Sequence, residues 1–241
     1  MKLNLKRATL IISLSFIVSL IIIGSGCLET PEATPATIDE NALTAYGWSQ
    51  VGIEEKSFEQ ELTDSKSLTI SSVTVEYYND RLMNDINEQA LSFAEENNIP
   101  FETGMPASMT AHMVTYRLTL PSGAKLPTDL MSDITERMVN DMKEGNGIED
   151  IEDTKTRTII LNDGTEASVR IFTGSGNSTD TDLRMIGFVT AFEGENTNTF
   201  VMGFTPDGEH RIEAGIVDGT LFSVDGESEL DEMLELVSTI E

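Results

Sequence analysis

His112 and His210 are the only imidazoles in these 241 residues, and Cys27 is the only thiol. A hydrolase built on either histidine needs a carboxylate to orient the ring and a nucleophile within hydrogen-bond reach. No Gly-x-Ser-x-Gly elbow is present to offer a serine. His112 stands at the edge of an apolar row, where a histidine packs and hydrogen-bonds rather than reacts. Zinc requires several converging His, Cys or carboxylate ligands, and neither histidine has a second one nearby. The 42 Asp and Glu residues make paired carboxylates so common that they carry no information about glycosidase chemistry. No catalytic residue, metal ligand or cofactor is therefore expected.

Two acidic stretches are weak calcium candidates, Glu149-Asp150 with Glu152-Asp153, and Asn177 with Asp180 and Asp182. Neither has the spacing and glycine of an EF-hand loop, so both read as solvated acidic loops. Gly174-Ser175-Gly176 begins like a phosphate-binding turn, yet no helix opens after it, and the phosphate reading fails its context. Asn177-Ser178-Thr179 is an N-glycosylation triplet, which makes Asn177 a candidate glycosylation site in a surface hairpin loop.

The remaining chemistry is at the start of the chain. Lys2, Lys6 and Arg7 precede an uncharged Leu- and Ile-rich run from Ala8 to Ile23, closed by Gly24-Ser25-Gly26-Cys27. A basic head, an apolar run and small residues are the parts of a secretory signal. With cysteine following them, the segment resembles the lipobox of bacterial and archaeal lipoproteins. That resemblance implies cleavage before Cys27 and lipid on its sulfur. The competing expectation is an uncleaved membrane helix, since the run is near the lower limit of about 17 residues for a span. Either way, charge asymmetry about the run directs the rest of the chain outward. The lipobox resemblance divides the chain into a signal peptide at 1–26, a lipidated cysteine with flexible linker at 27–45, and one α+β domain at 46–241. It places that domain on the extracytoplasmic face of the cell membrane.

All 42 acidic residues but only 12 of the 15 basic ones follow Gly26, which leaves the exported part at −30. Such a surface excludes nonspecific nucleic-acid binding and adsorption to anionic lipid through protein charge. Self-repulsion of this size destabilises a compact chain in dilute salt. At 1 M salt the screening length falls to about 3 Å, so a halophilic source is the simplest reading, with surface cation binding as runner-up. No second cysteine is present to form an intramolecular disulfide.

Pro31, Pro35 and the threonines around them read as a tether. Asp39 is placed to cap a short helix reaching Tyr46, and Trp48 reads as a core or edge-packing residue. A strand over Ser57–Leu62 turns at Asp64-Ser65-Lys66 into a second, Leu68–Tyr77, whose phase slip at Ser71-Ser72 predicts a bulge. Asn79 or Asp80 caps a helix to about Asn97, with Leu82, Ile86, Ala90 and Phe93 on its apolar face. His112, Val114, Tyr116, Leu118 and Leu120 share a strand face. Met131, Ile134, Met138 and Met142 make a helical stripe, read as core or as an adaptable partner surface. Thr156–Leu161 and Thr165–Thr173 flank the hairpin signal Asn162-Asp163-Gly164. Leu183–Phe192, Asn198–Phe204, Arg211–Val217 and Gly219–Val224 continue as strands. A last helix, Glu227–Ile240, buries Leu230, Met233, Leu234, Val237 and Ile240.

This order predicts an α+β class, a twisted antiparallel sheet with helices packed on it. The late meander and the closing helix around Leu234 to Ile240 resemble the PsbP/DcrB-like fold of exported proteins. The tethered acidic arrangement resembles surface lipoproteins of salt-loving archaea. These resemblances imply a non-catalytic binding or accessory role in the cell envelope, with the membrane reached through Cys27 and an envelope protein as partner. The alternatives are a small-ligand or ion binder serving a transporter, and a hydrolase.

Overall fold

A computed structural model describes residues 32–63, 66–99, 110–121, 125–146, 148–178, 181–214 and 217–241. The expected signal at 1–26 and Cys27 lie outside the described residues. The helices are α1 (Glu40–Tyr46), α2 (Asp80–Glu96), α3 (Thr128–Asn146) and α4 (Gly226–Ser238). The strands are β1 (Trp48–Thr63), β2 (Lys66–Asn79), β3 (His112–Thr119), β4 (Ile148–Ile160), β5 (Glu166–Ser178), β6 (Thr181–Glu193), β7 (Thr197–Pro206), β8 (Gly208–Ala214) and β9 (Val217–Val224). Seven of them form one antiparallel sheet in the order β1-β2-β3-β7-β6-β5-β4, and β8 with β9 form a separate ribbon. The α+β class read from the element order is the class of the molecule.

Charge pairs show how helices cover the sheet. Arg170 of β5 reaches Glu136 of α3 at 2.5 Å. Lys155 and Arg157 of β4 stand opposite Ile171 and Val169 of β5, and they pair with Glu227 and Asp231 of α4. Neighbouring strand residues point to opposite faces, so α3 and α4 lie on opposite sides of the sheet. β6, between them, is buried on both faces from Met185 to Thr190. Two glycines let aromatic rings lie flat against the backbone: a Cβ at Gly187 would stand 2.5 Å from Phe172 Cζ, and one at Gly203 would stand 2.6 Å from Phe188 Cε1.

Double coverage also explains the phase slip in β2. Ile70, Ser71, Ser72 and Val73 are all buried, and β2 runs past them with unbroken register. No bulge exists there. The register shifts fall on the partner strand β1, between Gln50 and Gly52 and between Glu61 and Thr63. β1 also starts at Trp48, well before Ser57, and Trp48 is buried as expected.

Full burial begins at Ala36, ahead of the expected boundary at 46, and Ala33 is already packed against the core. Ala36 and Ile38 are buried. Thr115 Oγ1 donates to the Ala36 carbonyl at 2.7 Å, and Arg117 Nη1 donates to that of Pro35 at 3.0 Å. One alanine and one isoleucine give no periodicity, so this segment looks like linker in the sequence. α1 follows as predicted, with Asp39 Oδ1 accepting from Ala42 N at 2.9 Å. In α3, Ile134 and Met138 are buried against the sheet. Those two members of the methionine stripe are core; the side chain of Met142 lies outside the described residues.

Candidate functional site

The most site-like surface lies between α2 and β9. Asn79 Oδ1 caps α2 by accepting from Leu82 N at 2.9 Å. Leu82, Ile86, Ala90 and Ala94 turn inward. Phe93, expected on that inner stripe, is half-buried at the edge instead. Its ring rests on Gly219 of β9, where a Cβ would come within 2.7 Å of Phe93 Cε2. Gln89 fastens the helix to the strand. Its Oε1 accepts from Ser223 N at 2.9 Å and its Nε2 donates to Ser223 O at 3.3 Å, as a neighbouring strand would. A register shift between His210 and Arg211 leaves Leu221 without a partner across the ribbon.

The result is an open groove of about 610 Å³. Phe93, Leu221 and Phe222 form its apolar part, and Asp85, Glu88 and Glu96 stand along it with no lysine or arginine. Asp85 has Arg81 at 3.8 Å. Glu88 and Glu96 are exposed and make no ion pair among the described residues. An apolar floor beside uncompensated carboxylates suits a ligand that joins an apolar body to positive charge.

A second cleft, of about 620 Å³, is lined by Asp39, Glu40, Trp48, Gln50 and Glu241 among others. Its indole is core: Trp48 is buried, and its Nε1 has no hydrogen-bond partner among the described residues. One oxygen of Asp39 is committed to capping α1.

The histidines are placed apart and away from any acid–base constellation. His112 of β3 stacks on Tyr78 at 4.5 Å and meets Phe204 edge-on at 5.4 Å. Burial lowers its pKa to about 4, which keeps the ring neutral near pH 7, and Nε2 has no partner. His210 of β8 packs on Phe222 at 4.3 Å with both nitrogens unpartnered. Burial lowers its pKa, opposed by the charge of Asp207. Among the described residues no hydrogen bond joins either ring to a carboxylate.

The acidic stretch from Glu149 to Asp153 is part of β4, not a loop. Register shifts between Glu149 and Glu152 and between Asp153 and Lys155 interrupt the pairing there, and Asp153 pairs with Arg170 at 2.9 Å. The stretch between the expected strands Thr165–Thr173 and Leu183–Phe192, read as a hairpin loop around Asn177, is also largely strand. β5 runs through Gly174, Gly176, Asn177 and Ser178, and Asn177 pairs with Asp182 across the hairpin. Asn177 thus sits two residues from the hairpin tip, while Thr179 of its triplet lies outside the described residues. Among the described residues no group of three or more His, Cys, Asp or Glu is arranged to hold a metal ion, and no helix is long and apolar enough to cross a membrane.

One polar cluster was not singled out from the sequence. Glu229 of α4 is buried, and it accepts from Asn79 Nδ2 at 3.0 Å and from Arg81 Nη2 at 3.0 Å. Arg81 Nη2 also donates to Glu232 at 2.8 Å. Burial raises the Glu229 pKa, and the Arg81 guanidinium opposes that rise. The cue was present: Glu229 falls three residues after Gly226 and four before Met233, on the stripe that α4 buries.

The model of a family described as a domain of unknown function, DUF6517, matches residues 35–241. No curated protein and no solved structure matches this chain.

Proposed function

Because the chain belongs to the DUF6517 family, whose description assigns no activity, we propose its function from its own residues: it is a lipid-anchored, extracytoplasmic surface protein with a binding or accessory role in the cell envelope. The observation that carries this reading is the sequence from Lys2 to Cys27, a basic head and apolar run closed by Gly24-Ser25-Gly26 before the only cysteine. In this reading Cys27 carries the lipid and 1–26 is removed. The nine residue-to-residue steps from Cys27 to Ala36 span at most about 30 Å when fully extended, which would hold the domain close to the membrane. A charge of −30 after Gly26 suits a salt-rich exterior, and an archaeal, halophilic origin belongs to the same proposal. So does kinship with PsbP/DcrB-like exported domains, for which the antiparallel sheet with a closing helix is the supporting feature. Asn177, near a hairpin tip, is proposed as a glycosylation site.

Intact mass spectrometry of protein taken from its native membrane tests the anchor, with a Cys27→Ser variant in parallel. The expected mass is that of a chain beginning at Cys27 plus lipid, absent from the variant. A mass retaining Met1 to Gly26 would replace the lipoprotein with an uncleaved membrane helix.

The second reading, a small-ligand binder serving a transporter, is favoured by one specific observation. Both clefts have the size of ligand sites, about 300–1,000 Å³. Equilibrium dialysis of the solubilised protein against cationic and anionic solute pools would decide whether either cleft holds a small molecule.

A further inference from the structure

We propose that the groove between α2 and β9 is a docking site for a cationic amphipathic helix of a partner protein. The inference deepens the accessory reading above and rests on it only for the identity of the compartment. Asp85 and Glu96 lie on one line along α2, and Glu88 stands about 60–80° around the helix from that line, still at the groove. From Asp85 to Glu96 the line runs about 16 Å at 1.5 Å per residue, the length of three helical turns. Phe93 and Leu221 supply the apolar contact below it, both half-buried and partly open to solvent.

This combination selects the partner's chemistry. Its apolar residues at i, i+3/i+4 and i+7 would seat against Phe93 and Leu221, the helix-in-groove mode of recognition. Lysines or arginines flanking that stripe would meet Glu88 and Glu96, which have no cation of their own among the described residues. Strand addition is disfavoured. Gln89 already occupies the backbone groups of Ser223, and the irregularity at Leu221 interrupts the ribbon edge. Gly219 fixes the depth of the groove, since any side chain there would displace the Phe93 ring.

The test uses the full-length chain in detergent, so that it does not depend on how the chain is anchored. Three synthetic helical peptides of about three turns serve as probes: one Lys/Leu amphipathic, one Lys/Ser with equal charge, and one Glu/Leu with an equal apolar face. Measurements are made at about 1 M salt, where long-range attraction to an acidic surface is screened but contact pairs persist. The Lys/Leu peptide is expected to bind at least about tenfold more tightly than either other probe, and to protect amides of α2 and β9 from exchange. The pair Glu88→Gln/Glu96→Gln should weaken it about tenfold, and Leu221→Ser should weaken it similarly. The pair Glu166→Gln/Glu193→Gln, exposed acids elsewhere, should leave it within about twofold. Equal losses in both glutamine pairs, equal binding of the Lys/Ser peptide, or protection mapping elsewhere would each overturn the proposal. A null result here leaves the lipid on Cys27 untouched, because the mass measurement reads that independently.

Discussion

Asn79 Nδ2 donates to Glu229 at 3.0 Å across 150 residues of chain, while Oδ1 of the same amide accepts from Leu82 N at 2.9 Å. One side chain therefore caps α2 and fixes the buried carboxylate of α4. The amide can serve both ends because it carries its donor and its acceptor on separate atoms.

Asn79→Ala should remove the cap, worth about 0.5–2 kcal/mol, and leave a buried carboxylate short of a donor, worth about 1–3 kcal/mol. Asn79→Asp should keep the cap but bring two carboxylates together, so that it is destabilising near neutral pH and recovers as acid neutralises the pair. Urea unfolding of both variants at two pH values checks this.

Glu229 has a folded pKa above its ordinary value, so the folded state holds its proton more tightly than the unfolded state does. Its contribution is fully present below the ordinary glutamate range of about 4.3 and is lost as pH rises through the raised value. Relative to wild type, Glu229→Gln should therefore be more favourable near neutral pH than at pH about 4, the unfolded-state value. Stability curves of the two proteins across that window read the difference directly.

His112 acts in the opposite sense. Its folded pKa is about 4 against an unfolded value of about 6.5, so folding favours the neutral ring. The stability this provides is complete above about 6.5 and is lost as pH falls toward the folded value, about 3 kcal/mol in all. His112→Phe keeps an aromatic ring beside Tyr78 and has no unpartnered Nε2. It should be close to neutral in stability at pH about 7 and should flatten the acid limb of the curve.

Gly187→Ala and Gly203→Ala each place a methyl where an aromatic ring now lies, on opposite faces of the sheet. Overpacking of this kind costs about 1–3 kcal/mol. Because Gly187 and Gly203 sit side by side on β6 and β7, the double variant should depart from additivity. Denaturant midpoints of the two singles and the double supply the measurement.

Salt should stabilise the protein steadily up to about 1 M, where the screening length is about 3 Å, because the unfolded chain relieves the repulsion of the −30 charge carried after Gly26. Thermal unfolding in rising KCl reads this, and a flat response would contradict the salt-adapted reading of the composition.

Local physics is legible in the sequence wherever one side of an element is wet. The apolar stripes of α2 and α4, the caps at Asp39 and Asn79 and the Asp163-Gly164 turn all follow from spacing and turn chemistry. The sequence also set the charge, the lone cysteine and the α+β class. Its period fails where both faces are covered, as at Ile70–Val73 and along β6, because alternation then no longer separates inside from outside. Only the tertiary structure decided that Pro35–Ile38 lies on β3, that Phe93 leaves its stripe to rest on Gly219, and that Glu229 meets Asn79. Those contacts join residues far apart in the chain, and they depend on the relative placement of helices and strands, which no window of a few turns contains.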